Sequence, residues 1–130
     1  MADNAGEHLE IAELVRAIDE NPDELHNDYT PSVQRLIDKG LAGAAAVVPL
    51  LNTDDQMTRR RAQRVLEGVV KARFGWKAGM GFADAGAQEQ ALAVLAANGN
   101  YDAAASEEQR KHSAGLWRRW IEDQREGKDR

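Results

Sequence analysis

Cysteine is missing from this chain altogether. Its absence excludes thiol nucleophiles, disulfides and cysteine-rich zinc sites, and it suits a reducing compartment. Long apolar runs are missing too. The longest, Leu41–Leu51, reads LAGAAAVVPLL and contains a glycine and a proline, whereas a membrane-spanning helix needs about 20 apolar residues. A secretory signal starts basic and turns apolar, but MADNAGEHLE is acidic and polar. A soluble, cytoplasmic protein without a membrane role is therefore expected. No stretch alternates with period two through β-branched residues, so no strands are expected.

Catalytic signatures are equally scarce. The histidines His8, His26 and His112 lie far apart, and none sits in an H-x-x-x-H or H-E-x-x-H frame. There is no Gly-x-Ser-x-Gly. Acids are plentiful, yet nothing singles out an acid–base pair. Gly75-x-x-x-Gly79-x-Gly81 is not a phosphate loop, because no strand precedes it and no Gly-Lys-Ser/Thr follows. No catalytic residue, cofactor or metal is expected. His26 and Asp28 read as a hydrogen-bonded turn.

What the chain does have is helical spacing. Its 130 residues suffice for one domain that buries roughly two-thirds of its unfolded surface. A first helix is expected over Ala5–Glu20, with a capping box at Asn4 and Glu7 and a face of Ile11, Leu14, Val15 and Ile18. Asn21 and Pro22 suit a short helical turn. Thr30 and Pro31 open a helix that stops at Lys39–Gly40. The next covers Leu41–Asn52, and Pro49 should bend it. A long helix over Gln56–Arg73 should bury Ala62, Val65, Leu66, Val69 and Ala72. A glycine–aromatic loop follows over 74–86. Helices resume at Ala87–Asn98, with Ala91, Leu92, Leu95 and Ala96 inward, and after Ser106. The last should bury Ser113, Leu116, Trp117, Trp120 and Ile121 and fray into a polar tail over 124–130. The fold class is all-α, with about six helices in antiparallel hairpins over residues 1–130 and a central hairpin at 41–73.

The segment AAAVVPLLNTDDQMTRRRAQRVLEGV resembles a HEAT repeat, the helical-hairpin unit of α-solenoids of the armadillo type. Pro49, Leu50 and Leu51 match the end of the first helix. Asp55 matches the turn aspartate, Arg59 the repeat's arginine, Ala62 the small packing residue and Leu66 the leucine. Thr58 stands where valine is usual, and Glu67 where glycine is common. The likeness covers about 41–70, with the flanking helices as irregular units, since solenoids need about three repeats. It implies either a short right-handed solenoid or an irregular helical bundle. It also implies that Arg59 bridges to Asp55 or to a neighbouring turn. No His-Glu dipeptide occurs, so the di-iron hydroxylases built on such repeats are not supported.

Charge is distributed unevenly. The chain carries −5, yet Met57–Lys77 holds seven basic residues and one acid, Glu67. At about 100° per residue, Arg60, Arg64 and Lys71 share one stripe, Arg59 falls elsewhere and Arg61 falls at the core edge. The stripe, with Arg73, is a candidate anion-binding surface. Its plainer reading is a solvated face with Arg60–Glu67 and Glu67–Lys71 pairs. The loop offers Trp76, Lys77, Met80 and Phe82 as partner contacts, or else its aromatics fold inward and cap the core. Trp117 and Trp120 are core, or a surface for a second copy of the chain. The expected function is a small non-catalytic interaction module that binds a protein partner or itself through its helical groove and this loop. The alternative is nucleic-acid or phosphate binding through the Arg60, Arg64 and Lys71 stripe.

Overall fold

A computed structural model describes residues 3–127, with side chains over 6–127. Among them are six α-helices: α1 (Asp3–Arg16), α2 (Pro31–Asp38), α3 (Leu41–Val47), α4 (Gln56–Arg73), α5 (Ala85–Ala97) and α6 (Glu107–Arg125). A 3₁₀ segment, Val48–Asn52, prolongs α3. No strand forms among the described residues; the isolated bridge Lys77–Gly81 is the sole extended pairing there. The protein is all-α, as expected. No helix among the described residues is long and apolar enough to cross a membrane.

Local chemistry sets most boundaries. Thr30 caps α2: its Oγ1 accepts from Val33 N at 3.1 Å, while its hydroxyl donates to the Ile18 carbonyl at 2.8 Å. One side chain thus starts α2 and ties it to the turn that follows α1. Pro31 follows at the first helical position. Asp55 caps α4, Asp84 caps α5 and Ser106 caps α6, the last through Gln109 N at 3.2 Å. At Pro49 the α-helical pattern gives way to the tighter 3₁₀ turn. Proline has no N–H to donate to the carbonyl four residues back.

Several boundaries depart from expectation. α1 ends at Arg16 rather than Glu20, and residues 17–19 form a turn. It already includes Asn4, whose side chain, and with it the capping box, lies outside the described residues. No short helix follows Pro22. Asn21 instead adopts a left-handed φ of 57°, and Asp23 Oδ2 accepts from Leu25 N at 3.0 Å and His26 N at 2.8 Å. A carboxylate that satisfies two backbone donors holds a turn without needing helical hydrogen bonds. α5 starts at Ala85, two residues early, because Asp84 is its cap. Gln124 and Arg125 belong to α6 and not to a frayed tail; residues 128–130 lie outside the described residues.

α4 is the central element. It packs on α2, α3, the 3₁₀ segment and α5, while α6 lies across α3 and the 3₁₀ segment. Val65, Leu66, Val69 and Val70 are buried on it, each contributing about 1.5–3 kcal/mol. Val70 takes the inward place expected of Ala72, which is exposed. The residues Ile11, Leu14 and Ile18 of the first segment, Leu36 of α2, Leu51 of the 3₁₀ segment and Ile121 of α6 join one continuous core. α5 is thinner. Ala91 is buried and Val94 and Leu95 are half-buried, but Leu92 and Ala96 face out. α3 can approach α2 closely because Gly43 has no side chain: a Cβ there would lie 2.0 Å from the Leu36 carbonyl oxygen.

Two arginines of α4 are buried. Arg59 NH1 donates to the carbonyls of Thr53 at 2.7 Å and Asp54 at 2.9 Å, and its Nε donates to Ala103 at 3.0 Å. Its partners are thus turn carbonyls rather than the Asp55 carboxylate. Arg61 donates from Nε and NH2 to the Asn27 carbonyl and from NH1 to Asp19 Oδ1 at 2.7 Å. Together they fasten three irregular segments to one helix.

Gly43→Ala is expected to lower stability by about 1–3 kcal/mol or more, through forced separation of α2 and α3. Gly115→Ala, at an open helical position, is expected to raise it by about 0.5–1 kcal/mol; urea titration of both reads the difference. By the same assay Arg59→Met should cost on the order of 3 kcal/mol by stranding buried carbonyls. Arg60→Met should stay within about 0.5 kcal/mol.

Candidate functional site

Helix α4 ends in a Schellman motif, and that motif places the aromatic loop. Gly75 N donates to the Ala72 carbonyl at 3.1 Å and Trp76 N to the Lys71 carbonyl at 3.0 Å. This pattern requires a left-handed residue between them, and Gly75 supplies it with φ 87°. A tight turn follows: Lys77 N donates to Gly81 O at 3.1 Å and Gly81 N to Lys77 O at 2.8 Å. The loop is therefore hydrogen-bonded, and it divides its side chains. Phe74 and Phe82 are half-buried against the core. Trp76 and Met80 point out, 40% and 80% exposed. Of the four candidate contacts of the loop, Phe82 packs partly against the core, while Trp76, Lys77 and Met80 are exposed.

Trp76 lines an open groove of about 790 Å³. Its other walls come from the segment between α1 and α2 and the start of α2: Asn21, Asp23, His26, Tyr29, Pro31 and Gln34. Tyr29 is 37% exposed. Burial, its leading influence, raises the Tyr29 pKa. Asp23 has a pKa below the usual carboxylate value, first because His26 N and then because Leu25 N donates to it. Both bonds fall on Oδ2. His26 Nδ1 lies 3.5 Å from the same oxygen. His26 therefore pairs with Asp23, and Asp28 is engaged elsewhere. The lining residues Asn21, Asp23, Tyr29 and Gln34 were not singled out by sequence reasoning, because their proximity to Trp76 is tertiary. Leu25 and Tyr29, apolar residues in a polar turn, were the available signal.

The basic stripe is partly committed to internal partners. Arg64 Nε binds Asp28 Oδ2 at 2.6 Å and its NH1 binds Glu67 Oε1 at 2.8 Å. Burial works against its charge, but Glu67 and Asp28 outweigh burial and raise its pKa. Glu67 thus pairs with Arg64, and Gln63 Nε2 also donates to it at 3.0 Å. Arg73 NH2 donates to Gln124 Oε1 at 2.8 Å, and its guanidinium sits 5.9 Å from the Trp120 ring centroid. Arg64 is therefore an internal tie rather than a free cation of the stripe, whereas Arg73 is exposed and keeps a charge unpaired among the described residues, beside Gln124. Arg60 and Lys71 are half-exposed.

Trp117 is 2% exposed, so it belongs to the core and is corrected from the candidate self-association surface. It meets the half-buried Trp120 edge to face, with centroids 5.6 Å apart. Beside Trp117 lies a cavity of about 80 Å³, also lined by Leu66, Leu95 and Tyr101. Tyr101 donates from its hydroxyl to the Leu51 carbonyl at 2.6 Å. Burial pushes its pKa up to about 12, against the opposing pull of Arg59 and Arg110. A second groove of about 740 Å³ runs between α1 and α3, floored by Ile11, Ala12, Val15, Ala42, Ala45 and Ala46. No group of His, Cys, Asp or Glu suited to a metal occurs among the described residues.

The chain matches no protein-family model, no curated protein and no solved structure.

The raised pKa of Tyr101 has a consequence for alkaline stability. The unfolded tyrosine ionises near 10.0 and the folded one near 12, so the native state holds the proton longer. Its contribution is complete below the lower value and is lost as pH climbs through the upper one. Tyr101→Phe should cost about 1 kcal/mol at neutral pH through loss of the Leu51 bond. It should also flatten the alkaline fall in stability, as read by denaturant titration against pH.

Proposed function

We propose that this protein is a small non-catalytic interaction module, and that it binds a protein partner at the groove between Trp76 and Tyr29. One observation carries the reading. Of the six large hydrophobic side chains exposed among the described residues, four lie on the two segments that meet there: Leu25, Tyr29, Trp76 and Met80. Single exposed apolar residues are ordinary, whereas a cluster beside a concave surface marks an interaction site. Both segments are held in place by hydrogen bonds, so a ligand need not order them, and that ordering is a major cost of binding.

The HEAT-like character of the 41–70 hairpin belongs to the same proposal. Its support is the match of residues, together with Arg59 on the turn carbonyls of Thr53 and Asp54. The neighbouring helices do not extend one simple series: α1 meets α3 and α2 meets α4, but α6 lies on α3 and α5 on α4. An irregular helical bundle built around one HEAT-like hairpin is the form we favour. The nucleic-acid alternative has lost Arg64 to internal carboxylates, which leaves Arg60, Lys71, Arg73 and Lys77 as its cations.

Trp76→Ala and Met80→Ala should leave the melting temperature within a few degrees of wild type, since both side chains stand outside the core. Affinity capture should retain a partner on wild type and on the control Leu92→Ala, and lose it on Trp76→Ala. Retention of every partner by Trp76→Ala and Met80→Ala would refute the groove. Low-salt binding of duplex DNA, abolished by Arg60→Glu with Lys77→Glu, would favour the anion reading instead.

A further inference from the structure

The groove's charge says more about its occupant than its shape does. No Lys or Arg occurs from Ala17 to Gln34, whereas that stretch carries Asp19, Glu20, Asp23, Glu24 and Asp28. Two of these acids are spoken for: Asp19 by Arg61 and Asp28 by Arg64. Glu20 and Glu24 are exposed beside the groove. Asp23 is its one carboxylate, and neither lysine nor arginine lines it; His26, the one basic lining residue, stands with Nδ1 3.5 Å from Oδ2 of Asp23. The turn bonds occupy Oδ2 of Asp23 and leave Oδ1 without a donor among the described residues. The nearest cation in sequence to Trp76 is Lys77, which is exposed on the adjoining turn and does not line the groove.

A half-exposed indole, a half-exposed phenol ring and an ionised carboxylate on one groove form a chemically specific set. Aromatic faces attract cations through the ring quadrupole. A carboxylate receives a guanidinium through paired hydrogen bonds. Arginine does both, because its planar, weakly hydrated head stacks on a ring while its edge donates. Asn21 and Gln34 add amide groups that can serve a peptide backbone.

We infer that the groove recognises an arginine side chain on an extended segment of the partner protein, with Trp76 and Tyr29 stacking on the guanidinium and Asp23 accepting from it. This rests on the groove being the partner site, and it adds the chemistry of the partner.

The test is a two-dimensional amide NMR titration of the full chain. The probes are a blocked hexapeptide of alternating arginine and alanine, and the same peptide with glutamine in place of arginine. The arginine peptide should shift amides at residues 21–34 and the Trp76 indole N–H, and should bind about five- to tenfold tighter than the glutamine peptide. Asp23→Asn keeps an oxygen for the turn and should lose that preference. Trp76→Ala should abolish binding, and Trp76→Phe should restore most of it.

Equal binding of the two peptides at the groove, or an unaltered preference in Asp23→Asn, would overturn the arginine inference and leave the groove as a partner site. Shifts scattered over other acidic surfaces and indifferent to Trp76→Ala would mean general polycation binding and overturn it as well. Absence of any shift up to the solubility limit of the arginine peptide would also end it. The partner-capture comparison with Trp76→Ala would then judge the groove separately.

Discussion

A short helical protein has many carbonyls in its connections and few helices to cover them, and every buried one needs a donor. Here the donors are arginine side chains on α4. Arg59 serves the turn before α4 and, across the molecule, the Ala103 carbonyl in the connection before α6. Arg61 serves Asn27 in the connection between α1 and α2. Burying a guanidinium costs several kcal/mol of desolvation, and here each of the two offsets it with three hydrogen bonds to oxygen. Much of the architecture follows from this. The connections are attached to α4, which itself packs on α2, α3 and α5.

Those attached connections carry the surface of interest. Arg61 and Arg64 hold the segment that presents Tyr29, through Asn27 and Asp28. The C-terminal Schellman motif of the same helix positions Trp76. The two walls of the groove are therefore both referenced to α4, which explains how aromatic side chains on irregular backbone can be held in a fixed relation. α5 has no comparable ties. It rests on α4 through Ala91, Val94 and Leu95, and leaves Leu92 outside.

Counting charges along the chain gives a misleading picture of the surface. The basic segment looks like the electrostatic feature, yet Arg59 and Arg61 are buried, Arg64 is neutralised by two carboxylates, and Arg73 is tied to α6. The acids show the reverse. Asp19 and Asp28 pair with α4, and Glu20, Asp23 and Glu24 remain to set the field near the groove. At ordinary ionic strength only charges within about 10 Å of a site matter to it, so local pairing outweighs the chain's net charge.

The sequence by itself determined the helices, because helix periodicity and caps act within a few residues. Thr30 with Pro31, the Lys39–Gly40 stop, the helix start at Ser106 and the Pro49 break all follow from backbone chemistry over that range. It also placed Arg59 in a structural role. At Asn21–Asp23 the local signals are ambiguous, since Asn before Pro with acids after it suits a helix start and a non-helical turn equally well. Helical-wheel geometry put Arg64 on an outward stripe but could not supply Asp28, which sits 36 residues away. Nor could it say which aromatics of the loop turn inward, because Phe82 and Trp76 differ in what lies beneath them and not in their own chemistry. Only the tertiary structure decided which charges are spent in pairs and which two loops face each other. Both depend on distances between segments remote in sequence, and local propensity carries no information about those distances.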